Sequence, residues 1–281
     1  MPADGWQGVI ALAQAVGEHA LGWFLLGLAL FCTATALAWR RLRRSVRARL
    51  TQSEGAPSPR RLMLAMALGF VLVAAPAMLL FSALGARIVA GHPVVQADHA
   101  LGEAVGRSLP PAAVRVFGWL THAGDPSVLT GLCVVVALLL WQQRRRTLAL
   151  AWVLSLAGNA VLNPALKQAF ERARPAYESL SATAHGYSFP SGHSSGAMVA
   201  YGMLGYLALR TLPARWHGAA LVSAVALVFT AACSRVMLQV HFASDVFAGL
   251  ASGGTWLLTC ITSAEAARHY QEHRALRRRD G

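Results

Sequence analysis

The sequence predicts an all-α, multi-pass transmembrane helical bundle. Three observations carry that expectation. Of 281 residues, 56% are hydrophobic and only 13% charged, with a mean hydropathy of +0.46; soluble domains hold roughly twice that charged fraction. Seven apolar stretches recur, at 20–39, 62–88, 126–141, 147–166, 194–210, 217–236 and 243–262. Most approach the ~20 residues that a spanning helix needs. Finally, the arginines gather in short segments between these stretches, where basic residues report membrane orientation.

The stretch 20–39 has neither a basic start nor a cleavage-site pattern, and its basic residues follow it. It reads as a retained N-terminal span. Residues 40–61 hold eight arginines, and 51–59 (TQSEGAPSP) reads as a flexible loop. After the 62–88 span, Pro110-Pro111 divides two short amphipathic helices, near 97–108 and 112–121. These are expected to lie in the membrane interface with Val116, Phe117, Trp119 and Leu120 dipping into lipid. The 126–141 stretch is short and borrows from 117–125. The expected organisation is an N-terminal span and basic loop at 1–61, a six-span membrane core at 62–262, and a basic tail at 263–281.

A net charge of +13 invites a nucleic-acid partner, but its distribution argues against one. Eighteen of the 25 basic residues fall at 40–61, 144–146, 210–215 and in the tail, all on one face if the spans alternate. That face is expected to be cytoplasmic, with the C-terminus, which leaves 167–193 and 235–242 together outside. Cys32, Cys133, Cys233 and Cys260 lie in apolar runs without metal or redox spacing and read as small hydrophobes.

Three polar clusters interrupt the apolar chain at span ends. Ionisable groups are costly in a membrane and mark function by default. In the first cluster, Lys167 is the chain's single lysine and stands two helical turns before Arg174, so both can face one point. Together they offer a compact charge and a forked donor set for phosphate oxygens. Glu171 and Arg172 between them read as an exposed pair without a role. The second cluster, Pro190-Ser191-Gly192-His193, starts a helix. Its N–H groups and dipole suit an anion, Gly192 permits close approach, and His193 sits in the first turn, able to protonate a leaving oxygen. In the third, His241 and Asp245 share a helix face, so the carboxylate can orient the imidazole as a nucleophile or base, with Ser234-Arg235 just before them. Each cluster alone also fits a blander role: snorkelling cations, a polar cap, or an interfacial pair. Jointly they meet the needs of phosphoryl transfer.

The patterns K-x6-R-P, P-S-G-H and S-R-x5-H-x3-D, in this order, resemble the three-part signature of the type 2 phosphatidic acid phosphatase family of integral-membrane lipid phosphate phosphatases. Leu120-Thr121, Gly124-Asp125-Pro126 and Phe170 are also similar to that family. The resemblance spans about 98–262 and leaves the 20–39 span outside it as an extra helix. It implies a phosphohistidine at His241 oriented by Asp245, His193 as general acid, and phosphate binding by Lys167, Arg174, Ser191, Gly192 and Arg235. It further implies metal-independent hydrolysis of a lipid phosphate or diphosphate without cofactor, and a bacterial inner-membrane location is expected. Lipid phosphotransfer through the same histidine is the alternative, and a lipid or anion transporter a distant third. The substrate could be phosphatidate, phosphatidylglycerol phosphate, undecaprenyl diphosphate or lipid A. Contacts that select among these are expected in 92–122 and 176–189, with Tyr177, His185 and Tyr187 as candidates. Oligomeric state is not legible.

Overall fold

The chain's computed structural model describes residues 3–51, 59–88, 91–176 and 186–277. Among these are ten α-helices, one 3-10 turn and no strand. The helices are α1 (Ala3–Glu18), α2 (Ala20–Thr51), α3 (Pro59–Gly85), α4 (Pro93–Ser108) and α5 (Pro111–Leu120), followed by the turn Thr121–Gly124. Then come α6 (Pro126–Gln142), α7 (Arg146–Phe170), α8 (Gly192–Thr211), α9 (His217–Met237) and α10 (Ala243–Arg277). Local chemistry sets several starts. Proline stands in the first turn of α4, α5 and α6, where its missing N–H costs no helical bond. Ser191 caps α8 by accepting the Ser194 N–H.

All seven predicted stretches are helical. Among the described residues, five helices are long and apolar enough to cross a membrane: α2, α3, α7, α9 and α10. A sixth qualifies if α5 with its turn and α6, bent by 44° at Asp125, form one span. The expected count was seven, and α8 makes the difference. It packs against α6, α7, α9 and α10, and eleven of its 20 residues are buried, from Ser194 to Ala208. A helix surrounded by helices has no lipid-facing requirement, so its serines, glycines and tyrosines dilute its apolarity.

The remaining elements wrap this centre. α1 packs on α4, α2 on α9, and α3 on α10. Phe24 and Phe31 of α2 meet Phe229 of α9 at ring separations of 5.7 and 5.3 Å. Outward residues such as Leu30, Leu72, Leu79, Leu138 and Leu154 form an exposed apolar belt, suited to a bilayer rather than to water. The expected interfacial pair exists as α4 and α5, with one correction. Val116, Trp119 and Leu120 are exposed as anticipated, but Phe117 is only 2% exposed. It turns inward against Phe24, 5.0 Å away edge to face.

The arginine-rich segments converge at one end of the bundle. Arg145 donates to the Arg210 carbonyl, and Glu265 accepts from Tyr206 and pairs with Arg210 and Arg268. The three polar clusters meet at the other end. The four cysteines are free and half-buried. Most of the loop expected at 51–59, together with Tyr177 and His185, lies outside the described residues.

Candidate active site

The site is built where α7, α8, α9 and α10 end together. Beyond α7, Glu171 adopts a left-handed conformation and ends the helix with its N–H on the Lys167 carbonyl. That turn aims the chain 172–176 across the bundle end. Ser188 clips it there, donating its N–H to the Arg172 carbonyl and its hydroxyl to that of Ala173.

His241 lies in the short link between α9 and α10 and is 3% exposed. Its Nδ1 is 3.3 Å from Asp245 Oδ2, and Arg174 Nη1 lies 3.0 Å from its Nε2. An arginine can only donate. The pair therefore selects the neutral tautomer with the proton on Nδ1 and the lone pair on Nε2. Burial is the largest influence on the ring and pushes its pKa down to about 4, with Asp245 opposing and the Arg174 and Arg235 charges assisting. Arg174 also donates to the Gly186 and Val240 carbonyls. Burial lowers its pKa from the ordinary arginine range, against the pull of Asp245.

Lys167 Nζ donates to the Tyr187 carbonyl at 2.6 Å. Arg235 is 5% exposed and donates through Nη1 to Thr121 Oγ1 at 2.7 Å, while its buried Nε has no partner among the described residues. Gly192 and His193 open α8, whose first-turn N–H groups lack intrahelical acceptors. Lys167, Arg174, Gly192, His193, Arg235 and His241 all line one cavity of about 680 Å³. Away from them, its walls are mostly apolar, with Leu129, Cys133, Val153, Leu156, Ala157 and Val199, and Thr130, Asn159 and Asn163 as the polar exceptions. Two of the expected residues stand behind this wall. Asp245 is fully buried and reaches the cavity only through His241. Ser191 is also fully buried: its hydroxyl faces Ser194 and its N–H donates to the Asp245 carbonyl.

Arg172 overturns its reading as an exposed bystander. It is 7% exposed and bridges two carboxylates, with Nη1 2.6 Å from Asp245 Oδ1 and Nη2 2.9 Å from Asp98 Oδ2. Nη1 also meets Ser244 Oγ, and the guanidinium lies over the Phe242 ring at 4.2 Å. Asp98 comes from α4 and further accepts the Ser244 N–H and hydroxyl. Burial raises the Asp98 pKa above its ordinary value, opposed by the bonds from Ser244 and Arg172. The only hint in the sequence was an acidic residue on the inner side of an amphipathic helix. Asp125 was also missed as a site residue: Oδ1 lies 2.8 Å from His193 Nε2 and Oδ2 2.6 Å from His122 Nδ1. Among the described residues, no group of three or more His, Cys, Asp or Glu is arranged to hold a metal ion.

This geometry can be set beside known proteins. The PAP2 superfamily model matches residues 148–268, which contain all three clusters. Phosphatidylglycerophosphatase B of Bacillus subtilis is 31% identical over 176 residues, covering 62% of this chain and 86% of that protein. The chain belongs to the PAP2 superfamily. Lipid A 1-phosphatase of Rhizobium etli is a further relative, 35% identical over 189 residues, covering 57% of this chain and 76% of that protein. The crystal structure of a transmembrane PAP2-type phosphatidylglycerolphosphate phosphatase from Bacillus subtilis superposes with a TM-score of 0.66 at 28% identity. That match covers 69% of this chain and 96% of the other. Asp98 and Asp125 both lie outside the segment matched by the PAP2 model.

Proposed function

We propose that this protein is an integral-membrane lipid phosphate phosphatase that works through a phosphohistidine at His241. One observation carries the reading. The oriented His241 Nε2 opens into a cavity with three cations at one end and apolar walls at the other. Lys167, Arg174 and Arg235 would balance the phosphate oxygens, and the orphaned Arg235 Nε would gain an acceptor. N–H groups at the start of α8, around Gly192 and His193, would take a further oxygen. Ser191 supports them as the cap of that helix. The lipid chain would lie between α6 and α7, along Leu129, Cys133, Val153, Leu156 and Ala157.

In the reaction, His241 Nε2 attacks phosphorus as Arg174 shifts its donor from the ring to a phosphate oxygen. Asp245 accepts the Nδ1–H and stabilises the positive charge that builds on the ring. His193 protonates the departing alcohol and then takes a proton from the water that hydrolyses the intermediate. Three side-chain cations can supply the charge that a metal would otherwise provide, so the chemistry is proposed to be metal-independent. The PAP2 relatives are named for different lipids, phosphatidylglycerol phosphate and lipid A. Their shared chemistry, a phosphate monoester on a lipid, is the proposed substrate class.

The test is release of inorganic phosphate from lipid phosphates by the purified chain in detergent. Vanadate should inhibit and EDTA should not. Strong EDTA inhibition would sink the metal-free mechanism, and label passing to a second lipid instead of water would replace hydrolysis with phosphotransfer.

A further inference from the structure

Each cavity histidine is held by its own carboxylate, and the second of these pairs has a telling geometry. Asp125 stands at the N-cap of α6, where an aspartate ordinarily accepts an N–H of its own helix. Its side chain makes no such bond. Both oxygens are committed elsewhere, Oδ1 to His193 Nε2 at 2.8 Å and Oδ2 to His122 Nδ1 at 2.6 Å. The turn that carries it is pinned on both sides. Tyr201 donates its hydroxyl to the Ala123 carbonyl at 2.7 Å, and Thr121 Oγ1 accepts from Arg235 and Ser234. Gly124 sits so near His193 that a Cβ there would lie 3.0 Å from the ring.

We propose that Asp125 is the positioning residue for His193, forming a second histidine–carboxylate pair that serves the leaving group. The proposal rests on the reading of His193 as general acid. Asp125 accepts the Nε2–H and leaves Nδ1–H for the substrate, while His122 fixes the other carboxylate oxygen. In the first step the bond between His241 Nε2 and phosphorus forms as the bond from phosphorus to the alcohol oxygen breaks. The electron pair goes to that oxygen, which takes the Nδ1 proton of His193. His193 is then neutral, with its remaining proton on Nε2 against Asp125. In the second step water attacks phosphorus and gives a proton to His193 Nδ1. The phosphorus–nitrogen bond breaks, its pair returns to His241, and phosphate leaves. Asp125 stays a carboxylate throughout, as the orienting member of a catalytic triad does.

Leaving-group dependence separates this role from packing. Two phosphate monoesters of equal tail length are compared on the full chain in detergent. One releases an alkyl alcohol, which needs a proton; the other releases a nitrophenol, which does not. Loss of a general acid should slow the alkyl ester about 10²-fold or more and the nitrophenyl ester less than about tenfold, and His193→Ala should show that bias. Asp125→Asn should show the same bias in weaker form, and Asp125→Glu should restore part of the alkyl-ester rate. Equal slowing of both esters by Asp125→Asn, with the bias of His193→Ala intact, would overturn the proposal. An unbiased His193→Ala would instead remove the acid assignment, and the proposal with it. Should Asp125→Asn fail to fold by gel filtration, His122→Ala carries the test: a smaller loss with the same bias supports the proposal, and an even loss overturns it.

Discussion

At the residue scale, His241 is caught between opposing fields. Burial and the Arg174 and Arg235 charges disfavour the imidazolium, while Asp245 favours it, and the net result is a pKa of about 4. The sign matters for function. A His pKa below its ordinary value of about 6.5 keeps the ring neutral, hence nucleophilic, as pH falls through that value. An NMR titration of ring-labelled histidine, assigned with His241→Ala, should place the midpoint well below 6.5 in the substrate-free protein. A midpoint at or above that value would contradict the buried, arginine-flanked ring. The same variant should lose roughly 10⁴-fold or more in turnover, as nucleophile deletions do, with its gel-filtration profile unchanged. Near-wild-type phosphate release by His241→Ala would end the nucleophile assignment.

At the element scale, the site depends on how helix ends are tied together. Arg172 joins the segment after α7 to α4 through Asp98 and to α10 through Asp245. A cation shared by two buried carboxylates costs little when complete and a great deal when broken. Arg172→Leu would leave both acids buried without their bridge, and the expected loss is about 3–5 kcal/mol, read as a lowered thermal midpoint in detergent. Arg107→Leu breaks only an exposed pair with Glu103 and should stay within about 0.5 kcal/mol. Helix α10 approaches α8 through small residues, as membrane helices do. A Cβ on Gly253 would lie 2.8 Å from the Ser195 Cα and carbonyl oxygen, which are backbone and cannot turn aside. Gly253→Ala should therefore push α8 and its His193 outward and lower activity. Gly69→Ala, facing open space on α3, should leave activity unchanged.

For the whole molecule, the arginine distribution leads to the expectation that the arginine-rich end lies in the cytoplasm and the active site outside. Arg145, Arg210 and Arg268 converge at the first end, and Tyr187 lies exposed at the second. In intact cells, a membrane-impermeant thiol reagent should modify Tyr187→Cys and spare Arg215→Cys, and the reverse pattern would sink the placement. The N-terminal helices also become intelligible at this scale. α1 and α2 lie outside the segment matched by the PAP2 model, yet they are not appendages. Ser108 donates to the Gly17 carbonyl, Phe24 packs on Phe117, and α2 runs along α9. They brace α4 and α5, which deliver Asp98 and the Asp125 turn to the site.

How much was legible follows from the range of each signal. Apolarity, helix length and proline positions act within a few residues, so most of the helices, though not α1, and the residue types of the three clusters were legible in the sequence. His241 and Asp245 were paired correctly because they are four apart on one short stretch. Contacts between distant segments obey no such spacing. Arg172 meets Asp98 across 74 residues and His193 meets Asp125 across 68. Only tertiary packing decided that Arg172 is buried, that Phe117 faces inward, and that Ser191 caps rather than lines the cavity. Helix period places a side chain on a face, but which partner that face meets is settled only when the helices close around it.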